Sequence, residues 1–214
     1  MPLPAVPATP GGPLATASRG ARLSAVAGLP LLHLATYWIV TRVTVLRGPD
    51  ALVTTTLPAD ALVPYVPGSW PLYWVAYLFV VAGGGLALFR MRDAAFRRAV
   101  ASVAGMMVIG SIIQVALPAQ APWPAAPAHA QRLFHDSTLI LPYATLPSMH
   151  VAYCTITASF LWHTVPARWV RGLAGVTVVA VAASTLLLRE HVLLDALTGA
   201  VLGFAAGRWW RGAP

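Results

Sequence analysis

Six long apolar runs, almost free of charge and separated by short arginine-bearing breaks, constrain this chain more than any other feature. They lie at approximately Leu23–Val43, Pro71–Phe89, Ala99–Leu117, His150–Val165, Val170–Leu188 and Val192–Trp210. A helix crosses the hydrocarbon core of a bilayer in roughly 20 residues. Six such helices with short connections use most of the 214 residues. Charged residues make up only 9% of the chain, against about 25% in soluble domains. Too little charge is present to cover the fold for water, so lipid is the expected solvent. The expected fold is all-α, a polytopic membrane protein built as a bundle of about six transmembrane helices. Residues 1–20, rich in Pro, Ala and Gly, read as a disordered tail, and residues 21–212 as one domain.

The net charge is +8 and every one of the 14 basic residues is arginine. In a soluble protein that excess would suggest nucleic acid. Here the arginines cluster between apolar runs, which is the pattern of membrane topology, and no nucleic-acid partner is expected. Arg19, Arg22, Arg90, Arg92, Arg97, Arg98, Arg168, Arg171, Arg208 and Arg211 fall on one side of a six-span arrangement. Arg42, Arg47, Arg132 and Arg189 fall on the other. The bias predicts both termini in the cytoplasm of a multi-pass cell-membrane protein. Trp70, Tyr73 and Trp74, and Trp209 with Trp210, read as interfacial anchors. Gly83, Gly84 and Gly85 would let helices approach closely. Cys154 is the single cysteine, so no internal disulfide forms.

Two stretches carry chemistry: Leu146-Pro147-Ser148-Met149-His150 and Arg189-Glu190-His191-Val192-Leu193-Leu194-Asp195. Both fall at extracytoplasmic helix starts in this topology, so two histidines from separate helices can meet in one pocket. Helix starts expose unpaired N–H groups and the positive end of the helix dipole, which suits an anion such as phosphate. Ser148 is a favoured N-cap. Asp195 follows His191 by four residues and shares its helix face. A carboxylate there can hold the Nδ1 proton and leave Nε2 as a nucleophile. An ionisable group within a span is costly and needs a partner, and His191 is the evident one.

These stretches resemble the type 2 phosphatidic acid phosphatase superfamily, most closely its inositol phosphorylceramide synthase-like branch. The family's Pro-Ser-x-His motif is matched by Pro147-Ser148-Met149-His150. Its later motif is a Ser-Arg pair followed by His and Asp, matched here by Ser184-Thr185, then His191 and Asp195 at the same spacing. Tyr143-Ala144-Thr145-Leu146 and Val63-Pro64-Tyr65-Val66-Pro67 also resemble that branch, and the likeness covers roughly residues 60–207. It implies a metal-independent, cofactor-free phosphatase or phosphotransferase acting on a lipid-linked phosphate. In that scheme His191 is the nucleophile that becomes a phosphohistidine, Asp195 orients it, and His150 is the general acid and base. Ser148 and nearby N–H groups hold phosphate oxygens.

The departures concern cations. Thr185 stands where the family has arginine. The family's first motif, Lys and Arg-Pro at the end of the third helix, aligns with Gln114 and Ala121-Pro122. Arg189, Arg132 and Arg42 are the remaining candidates to bind phosphate, Arg189 first because it lies two residues from His191. Three readings stay open: hydrolysis, transfer to an alcohol acceptor, and a catalytically silent lipid-binding or scaffold relative. The expected partners are a lipid-linked phosphate and the bilayer itself. His33 and His163 read as packing or interface residues, His129 and His135 as solvated loop residues, and Asp136 as a partner for Arg132.

Overall fold

The computed structural model describes residues 17–124, 132 and 144–211. Most of the proposed tail, together with His129, His135 and Asp136, lies outside the described residues. The helices are α1 (Arg19–Arg47), α2 (Trp70–Leu78), α3 (Gly84–Arg90), α4 (Asp93–Ala116), α5 (Met149–Thr164), α6 (Arg168–Leu187) and α7 (Leu193–Arg211). A π-helical turn, Phe79–Gly83, joins α2 to α3 as one rod, so these helices make six rods among the described residues. The fold is that of an all-α membrane protein. Among the described residues, strand is confined to β1 (Val53–Thr54) and β2 (Ala119–Gln120).

The six rods are not alike. Arg19–Arg47, Pro67–Arg90, Asp93–Ala116 and Arg168–Leu187 are each long and apolar enough to cross a membrane. α5 has only 16 residues, and the 19 of α7 include Asp195, Arg208 and Arg211. These two pack chiefly on each other, and α5 also packs on α6. A helix walled in by protein need not match the bilayer in length or polarity, because its polar groups find partners among its neighbours. The runs that look shortest in sequence are therefore the inner ones.

Contacts at the rod ends set the directions. Arg22 near the start of α1 pairs with Asp93 at the start of α4, at 2.7 Å, and also donates to the Leu88 carbonyl. Arg47 at the end of α1 donates to the Val115 carbonyl near the end of α4. α1 and α4 thus run parallel. The Trp210 indole donates to the Ala95 carbonyl at 2.9 Å, so α7 runs against α4. Trp210 is buried by this docking and is not the interfacial anchor its sequence position suggested, whereas Trp209 is exposed.

One face of α7 fixes the heart of the bundle. Asp195, Gly199, Gly203 and Gly207 recur every four residues and so form one stripe. A Cβ on Gly199 would run into the Ser148 carbonyl, one on Gly203 into the Ala152 carbonyl, and one on Gly207 into the Ser159 side chain at 2.8 Å. The stripe brings the backbones of α5 and α7 close together, as small residues do where helices pack without a hydrophobic drive between them. At its head the Ser148 N–H donates to the Asp195 carbonyl at 2.9 Å. The two chemistry-bearing helix starts are thereby clamped together. Gly83 and Gly84 of the second rod back onto α5 at Thr157 and Leu161.

Candidate active site

The turn between α6 and α7 is tight because one carbonyl closes it twice. The Thr185 carbonyl accepts from the N–H groups of Glu190, at 3.0 Å, and His191, at 3.2 Å. Arg189 adopts a left-handed backbone with φ 57° to make the turn. The Thr185 side chain is fully buried and donates to the Ala182 carbonyl at 2.8 Å. It faces its own helix and makes no contact in place of the family's arginine.

This turn delivers His191 beside His150. Their ring centroids are 5.8 Å apart, edge to face. His191 Nδ1 lies 3.5 Å from Asp195 Oδ2, an ion-pair separation at which no hydrogen bond has closed. Asp195 itself is fully buried. Its Oδ2 accepts from the Val192 N–H at 3.1 Å and its Oδ1 from the Thr55 hydroxyl at 3.2 Å. The backward bond to Val192 is half of a capping box. The same carboxylate thus starts helix α7 and faces His191.

The expectation that both helix starts offer free N–H groups fails for α7. Val192 N–H is taken by Asp195, and Leu193 N–H by the Asp60 carboxylate at 2.8 Å. Two carboxylates hold those donors, so they are closed to an anion. At α5 the Ser148 side chain is fully buried and accepts from the Val151 N–H at 3.5 Å. It caps its helix and does not line the cavity described below.

His150 is walled by α2. Tyr77 places its hydroxyl 3.1 Å from His150 Nε2, and the Tyr73 ring centroid lies 4.6 Å from that of His150. Tyr73 is 3% exposed, so it is a wall of the site and not the interfacial anchor expected, although neighbouring Trp74 is exposed. Tyr73 and Tyr77 stand one turn apart on one face of α2. That spacing was visible, but lost among the tryptophans around it. Thr55 and Asp60 were missed for another reason. They sit in the connection after α1, 140 and 133 positions from their partners, and no local pattern marks them. β1 brings this connection in by pairing with β2 in parallel, Val53 opposite Ala119 and Thr54 opposite Gln120.

The two histidines form the head of a cavity of about 420 Å³. It runs from His150, His191 and Glu190 between α1, the second rod and α5, down to Val26, Leu88 and Phe160. Its wall is apolar for most of that depth. Gln114, aligned with the family's lysine, lines it and reaches the Pro147 carbonyl at 3.4 Å. No arginine lines it among the described residues. The Arg42 guanidinium lies over the Trp38 ring at 5.2 Å, Arg132 is exposed, and Arg189 is half-buried. The structure therefore brings His150, His191 and Asp195 together, with Ser148 behind them, and sets the three candidate arginines outside the cavity wall. Among the described residues no group of three or more His, Cys, Asp or Glu side chains converges as a metal cage would.

Buried carboxylate, histidine, second histidine and an apolar slot form an arrangement suited to phosphoryl chemistry on a lipid. No curated protein matches the chain. The family model described as PAP2 superfamily matches residues 69–209, more than half of the chain, including both histidine motifs and the helices that carry them. The chain belongs to the PAP2 superfamily.

Proposed function

We propose that this protein is a phosphohistidine-forming phosphatase or phosphotransferase acting on a lipid-linked phosphate at the extracytoplasmic face of the cell membrane. The observation that carries this reading is the meeting of His191, Asp195 and His150 at the head of a largely apolar slot. The slot suits a hydrocarbon tail and the histidines suit its phosphate.

In this reading His191 Nε2 attacks phosphorus, and a P–N bond forms as the P–O bond to the lipid alcohol breaks. His150 gives its proton to the departing oxygen, which would otherwise leave as an alkoxide. Asp195 stabilises the positive charge that grows on His191. Then His150 takes a proton from water, or from an acceptor alcohol, as that oxygen attacks phosphorus. The P–N bond breaks and His191 returns neutral. Tyr77 fixes the ring of His150 through Nε2. Arg189, at the turn before His191, is the cation best situated to meet phosphate charge. The arginine distribution supports the extracytoplasmic placement, and the histidine motifs support the inositol phosphorylceramide synthase-like branch.

The test is release of phosphate from a panel of lipid phosphates by purified protein in detergent, wild type against His191→Ala. Release that disappears in the variant upholds the reading. Absence of release both with water and with added inositol or sugar alcohols overturns it, in favour of a silent lipid-binding relative.

A further inference from the structure

Below the histidines the slot is not uniformly apolar. His33, midway along α1, places Nδ1 3.0 Å from the Tyr153 hydroxyl of α5. Their rings meet edge to face at 4.7 Å, and Tyr37 stacks on His33 at 5.9 Å. Both members of the pair line the cavity, among hydrocarbon neighbours such as Leu29, Val80 and Ile156.

A neutral imidazole carries one N–H and a tyrosine one O–H. Their mutual bond uses one of these two protons in either tautomer. One donor is left over, and a donor without an acceptor inside a membrane is expensive. The pair therefore calls for an acceptor on whatever fills the slot. Its depth narrows the choice. Tyr153 follows His150 by one turn of α5, about 5 Å further from the head of the slot at 1.5 Å per residue. A phosphate held between His150 and His191 puts the carbon backbone of its lipid at that level, with any ester or amide carbonyl beside it.

We infer that His33 and Tyr153 form a specificity subsite that donates a hydrogen bond to the acyl carbonyl of the substrate. The preferred substrates are then phosphates of acylated lipids, glycerol esters or sphingoid amides. Polyprenyl phosphates, whose chains offer no acceptor at that depth, are disfavoured. The inference rests on the reading of the slot as the tail site, and extends it to the linkage between head and tail.

The experiment measures binding, so that it stands apart from turnover. Non-hydrolysable phosphonate analogues of a diacyl glycerolipid, its dialkyl ether counterpart, a ceramide and a polyprenol compete for the purified protein in detergent against a fluorescent lipid phosphonate. The expected result is that a carbonyl-bearing analogue binds roughly tenfold more tightly than the ether and polyprenyl ones, the worth of one hydrogen bond. The ester and amide arms tell which acylated lipid is meant. In the double variant His33→Leu with Tyr153→Phe the preference should fall to parity while ether binding is retained. Equal binding of ester and ether by wild type overturns the inference, as does a preference that survives the double variant or a parallel loss of both ligands. If the double variant does not fold, the wild-type ratio alone decides. Failure of the catalytic reading would appear separately, as absence of phosphate release with the binding preference intact.

Discussion

Asp195 accepts from Val192 and Thr55 and faces His191 with the same carboxylate. Asp195→Asn keeps the shape but removes the charge that meets an imidazolium. Turnover is expected to fall by about 10³-fold or more, as when an amide replaces the carboxylate that fixes a catalytic histidine, with little change in melting temperature. Thr55→Val removes one of the bonds that hold the carboxylate, and a loss of roughly tenfold in kcat is expected, near the worth of one hydrogen bond. Arg189 separates backbone from charge. Its left-handed φ of 57° costs a non-glycine residue about 1 kcal/mol. Arg189→Gly should match or exceed wild type in thermal stability. If the guanidinium meets the phosphate, KM measured on the same protein should rise about tenfold, the worth of a charged hydrogen bond. Equal kinetics would leave Arg189 a turn residue only. At this scale His150, His191 and Asp195 were legible because helix periodicity and motif spacing both mark them. Thr55, Asp60 and the occupied donors at the start of α7 were not. They depend on a connection from the far end of the chain folding over the site, and nothing in their immediate neighbourhood encodes that.

The helices were legible as apolar runs, although only four of the rods among the described residues are by themselves long and apolar enough to cross a membrane. Their ranks were not. A run of 16 residues with few polar breaks looks like a poor span, yet α5 is the most enclosed helix of the site. Hydropathy measures transfer into lipid and is blind to burial in protein. The same blindness made Trp210 and Tyr73 look like interfacial anchors. The glycine stripe of α7 carries a prediction at this scale. Gly203→Ala sets a methyl group against the Ala152 carbonyl and the Thr155 side chain. Overpacking of this kind costs about 1–3 kcal/mol, and pushing α7 off α5 also parts the histidines. A lower melting temperature in detergent, together with a larger fractional loss of activity, is the expected signature. Gly105→Ala in α4 meets nothing within 4 Å and should be neutral or stabilising by up to about 1 kcal/mol, since alanine is the better helix former.

For the molecule as a whole, the sidedness proposed from the arginine distribution is tested by labelling. Cys154 is fully buried, so it gives little background to a thiol reagent. Leu62→Cys, at an exposed position beyond α1, should react with an impermeant maleimide on intact cells. Trp169→Cys, exposed at the start of α6, should react only after the membrane is opened. The reverse pattern would invert the topology and move the site to the cytoplasmic face. The slot adds a further consequence. Its wall on α5 extends from His150 to Phe160, about 15 Å at the rise of an α-helix. Near its lower end Arg22 joins α1 to the Leu88 carbonyl and to Asp93. The cavity lining stops at Leu88 and does not include Arg22, and a pocket with an end is a ruler. Chains that reach it should gain affinity with every added carbon, and longer ones should gain nothing more, their excess turned back into the surrounding lipid.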